Sequence, residues 1–140
     1  MSEIVVDASV AVCWFGKEEQ TVLANRLIAA AADLIAPSLM LVELANGLWK
    51  KARRGEMAAD LAIAGIREVR RFVPEIVDVA DLAEPALILA RELDRSVYDC
   101  VYIALAHRRG APLVTLDQGL TTRVAKTRYR TNVVHLADWE

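Results

Sequence analysis

The sequence predicts one α/β domain: a five-stranded parallel sheet with helices on both faces. Three observations lead there. Five short, mainly apolar runs, at 4–6, 34–36, 76–79, 112–116 and 132–136, lack the in–out alternation of half-exposed strands, as strands buried on both faces do. The segments between them carry apolar residues at helical spacing, with two helices between strands two and three. The chain has 140 residues, 55% of them apolar, enough for one real core. No repeat, low-complexity tract or linker divides it. The crossovers are expected to be right-handed.

Each element has a local reason. Strand 4–6 ends at Asp7, and Asp7-Ala8-Ser9 opens a helix carrying Val12, Trp14 and Phe15 that Gly16 ends. Residues 17–32 read as a second helix, with Val22, Leu23, Leu27 and Ala30 on one face. Pro37 closes strand 34–36, and Ser38 is placed to cap a long helix reaching Arg54, stopped by Gly55. Residues 58–72 form an amphipathic helix with the stripe Leu61, Gly65, Val69 and Phe72, broken by Pro74. After strand 76–79, Asp81 and Glu84 stand at capping-box spacing before a helix through Leu82, Ala86, Leu89, Ala90 and Leu93. Ser96 and Asp99 repeat that spacing. Val97, Val101, Ala104, Leu105 and Arg108 follow at helical intervals until Gly110 and Pro112 stop the helix. Strand 112–116 runs into Asp117, a short helix reaches about Lys126, and strand 132–136 closes the domain.

Composition excludes some functions. The most apolar stretches, 36–48 and 97–106, are too short to span a bilayer and contain Glu43 and Asp99. No charged n-region with an apolar signal core precedes the first strand. Cys13 and Cys100 lack metal-ligand spacing and read as buried free thiols in a reducing compartment, so a cytoplasmic protein is expected. A net charge of −2 excludes a uniformly basic nucleic-acid binder. The cations are clustered, at 50–54, 67–71 and 123–130. The first two runs suit solvated helix faces. The third, Arg123, Lys126, Arg128 and Arg130, lies just downstream of Asp117 and is the better candidate for touching a phosphate backbone. Trp14, Phe15 and Trp49 read as core, with a partner groove as the alternative.

The acids carry the chemistry. In a parallel sheet, strand C-termini and the N-termini of neighbouring helices share one edge, where such folds place their sites. Asp7 and Asp117 end strands one and four, Glu43 lies in the early turns of the helix after strand two, and Asp99 in the first turn of the helix before strand four. All four are expected at that edge. Asp7 and Asp117 also suit helix N-caps, and Asp99 the third position of a capping box. Glu43 resists such a reading. Its neighbours from Leu39 to Ala45 are apolar, so its helix is expected to be buried nearly all round, and no Lys or Arg lies one turn away. Converging carboxylates without a local cation repel one another, and a divalent metal resolves this. Oxygen ligands without His or Cys point to Mg²⁺ or Mn²⁺. Ser9 and Thr115, two residues from Asp7 and Asp117, are placed to hold a metal-bound water, or simply to cap a helix and close a strand. The predicted reaction is metal-assisted hydrolysis of phosphodiesters.

These residues resemble the PIN domain, and within it the VapC-type toxin ribonucleases. The resemblance covers nearly the whole chain: IVVDASV, PSLMLVELANGL with Glu43, YDCVYIALAHRRGAPLVTLD with Asp99 and Asp117, and NVVHL. It implies a Mg²⁺-dependent endoribonuclease silenced by a cognate antitoxin, and a homodimer. It also implies that Asp7, Glu43, Asp99 and Asp117 are the acidic ligands, with Ser9 and Thr115 as lesser site residues. Asn46 falls where the family often has a small polar residue, and Gln118 leaves no further acid beside Asp117. Two other readings compete. A receiver-type phosphoacceptor domain would use Asp78 and Thr115, although only Asp7 follows strand one and no Lys follows the last strand. A non-catalytic interaction module would receive a partner's arginine in the pocket.

Overall fold

The computed structural model describes residues 2–17, 19–30 and 33–140. Five parallel strands, β1 (Glu3–Val6), β2 (Asp33–Pro37), β3 (Glu75–Val77), β4 (Leu113–Thr115) and β5 (Val133–His135), lie in the order β3-β2-β1-β4-β5. Val5 pairs with Ile35 on one side and Leu113 on the other. The chain thus builds outward from β1 to β3, then restarts on the opposite flank with β4. Between β1 and β4 lies the switch point, where open α/β sheets leave a crevice beyond the strand C-termini.

Among the described residues seven α-helices flank the strands: α1 (Ala8–Ala11), α2 (Thr21–Ala29), α3 (Leu39–Arg53), α4 (Ala59–Phe72), α5 (Ala83–Leu93), α6 (Val97–Arg109) and α7 (Gln118–Val124). Helix α6 is buried continuously from Cys100 to Ala106 and packs on β1, β2 and β4 and against α5. It therefore lacks the polar stripe of a surface helix. Val5, Ile35, Leu44, Ile103, Leu105, Leu113 and Leu136 are among the fully buried side chains. Helices α3 and α4 meet at Gly65, where an added Cβ would stand 3.1 Å from Leu48 Cδ1 and 3.4 Å from Phe15 Cδ1. Among the described residues no helix is long and apolar enough to cross a membrane. Cys13 and Cys100 are buried free thiols.

Several local expectations are corrected. The first helix is one α turn continued by a 3-10 turn, Val12–Phe15. The second covers Thr21–Ala29, and its expected end at 31–32 lies outside the described residues. Ser38 does not cap α3: it is already helical, and its hydroxyl instead accepts the Val79 amide at 3.1 Å, tying α3 to the chain leaving β3. That strand ends at Val77. Asp78 then caps a 3-10 turn, Val79–Asp81, which runs directly into α5, so no capping box forms at Asp81 and Glu84. Leu61 is 61% exposed and leaves its stripe to Gly65 and Val69. Trp49 is 52% exposed beneath the Arg53 guanidinium, whereas Trp14 and Phe15 pack against Phe72.

Candidate active site

The four acids come from four elements and line one cleft of about 660 Å³ at the switch point. Ser9, Asn46, Lys50, Tyr98 and Tyr102 line it with them. Asp7 forms its floor. As N-cap of α1 it accepts the Val10 amide at 3.2 Å through Oδ1. The Ser9 hydroxyl donates to Oδ1 and the Thr115 hydroxyl to Oδ2, each at 2.5 Å. Those hydroxyls are anchored in turn: Ser9 Oγ accepts the Leu116 amide and Thr115 Oγ1 the Asp117 amide, both at 3.0 Å. The C-termini of β1 and β4 are thus joined through one carboxylate. Thr115 is fully buried and stands behind Asp7, outside the cleft lining.

Asp7 is 8% exposed. Burial raises its pKa from 3.8 to about 6, against the lowering effect of Ser9, Thr115 and Val10 and with a smaller raising contribution from the Glu43 charge. This is the acid that bears the desolvation. Glu43 is only partly buried, and Val42 beside it is 68% exposed, so the expectation of a helix buried nearly all round is wrong here. Residues 42, 45, 46 and 49 face solvent, because α3 covers the sheet edge with one face only. Glu43 also has a protein partner: the Tyr102 hydroxyl donates to its Oε1 at 2.5 Å. Burial and the Glu43 carboxylate both hold the Tyr102 phenol far above its ordinary pKa, so it remains a donor.

Two of the cleft's acids also pair with a cation that stands beside the cleft. Arg95 Nη2 donates to Asp99 Oδ2 at 2.9 Å and to Asp117 Oδ2 at 3.0 Å. The premise of carboxylates without a local cation is thereby corrected. The sequence carried the signal, since Arg95 stands four residues before Asp99 and directly before the Ser96 cap. Lys50 stands seven after Glu43, on the same face of α3, and Tyr102 three after Asp99 on α6. The Ser96–Asp99 box is half formed: the Ser96 hydroxyl accepts the Asp99 amide at 3.2 Å, while the Asp99 side chain turns to Arg95. Asp117 caps α7 through Oδ1, which accepts the Leu120 amide at 3.0 Å, leaving Oδ2 for Arg95.

The basic run is divided. Arg123 and Lys126 join Arg95, Gln118, Gly119 and Thr122 around a hollow of about 600 Å³ beside Asp117. Arg128 instead reaches Glu92 at 3.4 Å and stacks on Tyr129, and neither it nor Arg130 lines the cleft or the hollow.

The donor set suits a hard divalent cation: every carboxylate in the cleft is an oxygen donor, and no His or Cys lines it. Among the described residues no group of three or more such side chains stands ready to hold an ion. Both Asp7 oxygens accept hydrogen bonds, and Arg95 takes Oδ2 of both Asp99 and Asp117. The residues fit the cation by chemistry, and Arg95 is paired with two of the carboxylates that would hold it. Thiol chemistry does not compete, since burial raises both cysteine pKa values, Cys100 to about 11.

Comparison with known proteins bears on the family and the fold. The PIN domain pattern matches residues 4–126. The chain is 35% identical over 123 residues to Ribonuclease VapC3 of Pyrobaculum aerophilum, covering 86% of this chain and 94% of that protein. The crystal structure of PAE2754 from Pyrobaculum aerophilum shares the fold, with a TM-score of 0.70 and 23% identity across 97% of this chain and 85% of the other. So does VapBC2 from Rickettsia felis, bound to a DNA fragment from their promoter, with a TM-score of 0.66 and 14% identity across 99% of both chains.

Proposed function

The chain belongs to the PIN-domain family, and from that premise we propose that it is a toxin ribonuclease of the VapC type, hydrolysing RNA phosphodiester bonds with Mg²⁺ or Mn²⁺. One observation carries the reading: Asp7, Glu43, Asp99 and Asp117 converge on a single cleft at the switch point of the sheet. The Pyrobaculum relative, alike over most of its length, bears the name of a ribonuclease.

The four carboxylates would hold the cation through oxygen. When bound, it supplies charge neutralisation at a phosphoryl oxygen and a water of lowered pKa. The chain's own groups position the rest. Ser9 and Thr115 fix both oxygens of Asp7, and Tyr102 orients Glu43. Lys50 places positive charge in the cleft lining, where a phosphate would enter. Tyr98, 64% exposed in the same lining, offers a ring for a base to stack on. Arg123 and Lys126 supply cations for the neighbouring backbone.

The proposal includes a cognate antitoxin protein that silences the cleft, a homodimer, and a cytoplasmic setting. Exposed Val42, Trp49, Leu87 and Ile88 give protein partners apolar surface, and the buried free thiols suit a reducing compartment. Nothing in the geometry favours a receiver domain. Asp78 lies beyond the end of β3, exposed, with Oδ1 accepting the Ala80 amide at 2.9 Å.

The test is incubation of the purified protein with total cellular RNA, with Mg²⁺ and with chelator. Cleavage that requires the metal and is lost in Asp7→Asn is expected. Metal-independent cleavage, or cleavage retained in that variant, would overturn the reading.

A further inference from the structure

Apart from its i,i+4 pair with Asp99, the place of Arg95 just before α6 brings it no local stabilisation. Asp94 ends α5 in the left-handed conformation, φ 53° and ψ 48°, which turns the chain so that Arg95 meets the N-terminus of α6. A cation there opposes the helix dipole, so α6 gains nothing from it. Its guanidinium is also poorly used. A guanidinium fork fits carboxylates best through two parallel bonds. Here Nη2 alone serves both Asp99 and Asp117, and Nε is buried without a hydrogen-bond partner. An unpaired buried donor is a standing cost. The side chain is therefore held by the charge of the two acids and not by good local geometry. It lines the basic hollow and pairs with two of the acidic cleft's carboxylates, and among the described residues no acid lines the hollow beside it.

We propose that Arg95 is a positioning residue that acts as an exchangeable internal cation. It neutralises Asp99 and Asp117 while the cleft holds no divalent ion. It yields those carboxylate oxygens when the ion binds, which frees its guanidinium for a phosphate in the hollow that it already lines. The inference rests on the proposed metal-dependent reading of the cleft and adds that metal affinity and RNA affinity are linked through one side chain. Such an exchange costs the metal the energy of breaking two charge-assisted bonds and repays it when RNA is present.

The experiment uses Mn²⁺ alone, followed by electron paramagnetic resonance of the free ion, on the folded wild type, Arg95→Gln, Arg95→Lys and Asp7→Asn proteins. Arg95→Gln is expected to bind Mn²⁺ at least about ten-fold more tightly, a change of about 1.4 kcal/mol. Arg95→Lys, which keeps the charge, should stay near wild type. A purely structural role would shift denaturant midpoints and leave the Mn²⁺ titration of folded protein unmoved. The second arm measures binding of a nuclease-resistant 2′-O-methyl oligouridine. Arg95→Gln should weaken it about five-fold with Mn²⁺ and leave it unchanged with chelator, where Arg95 is held by the acids. Equal or weaker Mn²⁺ binding by Arg95→Gln overturns the exchange, and an equal RNA effect in both conditions overturns the link. If neither wild type nor Arg95→Gln binds Mn²⁺ in an Asp7-dependent way, the metal-dependent reading of the cleft fails first and the exchange falls with it.

Discussion

Replacing Asp7 by Asn should make the metal-free protein more stable at neutral pH, although it destroys the site. The carboxyl titrates at about 6 in the folded protein against 3.8 for the ordinary group. A folded pKa above the unfolded one means that the native state binds the proton more tightly. Wild-type stability therefore falls as pH rises from about 4 to about 6 and is level above that. The gap of about two pH units corresponds to about 3 kcal/mol. Asn does not recover all of it. Its amide oxygen can accept two of the three donors now facing Asp7, but its NH₂ must face a hydroxyl that has to turn from donor to acceptor. Both hydroxyls, Ser9 and Thr115, have a lone pair left for this, since each already accepts one backbone amide. The rearrangement forfeits about one hydrogen bond, roughly 1 kcal/mol. A net gain of about 2 kcal/mol is expected at pH 7.5, and none below pH 4, where the wild-type carboxyl is also neutral. Urea titrations of both proteins between pH 3.5 and 8, with chelator, measure the difference. With Mg²⁺ at one hundred times its Kd the wild type should recover about 2.7 kcal/mol and overtake the variant. An Asp7→Asn protein that is less stable by a constant amount at every pH would show that the carboxylate is a net structural asset, and the desolvation argument would be wrong.

Asp99→Asn should abolish Mg²⁺-dependent RNA cleavage while leaving a cooperative denaturant transition, because it removes a charge of the proposed metal site at a partly exposed position without changing volume; near-native cleavage would remove Asp99 from the site. Neutralising Arg123 and Lys126 should flatten the salt dependence of single-stranded RNA binding by roughly 1.4 in the log–log slope, about 0.7 per phosphate contact. The same change at Arg128 and Arg130 should do less, since Arg128 already engages Glu92 and Tyr129; a larger effect there would put the RNA track on the other side of α7. Tyr98→Ala should weaken binding of the 2′-O-methyl oligouridine by about 1–3 kcal/mol if a base stacks on the ring, with no change in the thermal midpoint at this exposed position, and unchanged affinity would assign the base elsewhere.

The elements that position the acids are legible in the sequence. Five short apolar runs between helical patterns leave few arrangements open, because parallel strands need crossovers and crossovers put strand C-termini and helix N-termini at one edge. That rule alone brings Asp7, Glu43, Asp99 and Asp117 together, and they do line one cleft. The capping signals were less dependable. Ser96 caps α6 as its spacing suggests, but Ser38 and Asp81 do not cap, because Val79 draws the first away and Asp78 starts the turn ahead of the second.

Contacts between distant elements were beyond the sequence. The Tyr102–Glu43 bond joins α6 to α3, the Thr115–Asp7 bond joins β4 to β1, and the Arg95–Asp117 pair joins the turn before α6 to the start of α7. Periodicity tells which face of a helix is apolar; it does not tell how deeply a neighbour covers it. For that reason the sequence assigned the burial to Glu43, whose apolar neighbours partly face water, when the strand-end Asp7 bears it beneath two hydroxyls. Tertiary packing decided which carboxylate lost its water and which cation paired with Asp99 and Asp117, because desolvation and charge pairing depend on distance in space, and the sequence measures distance only along the chain.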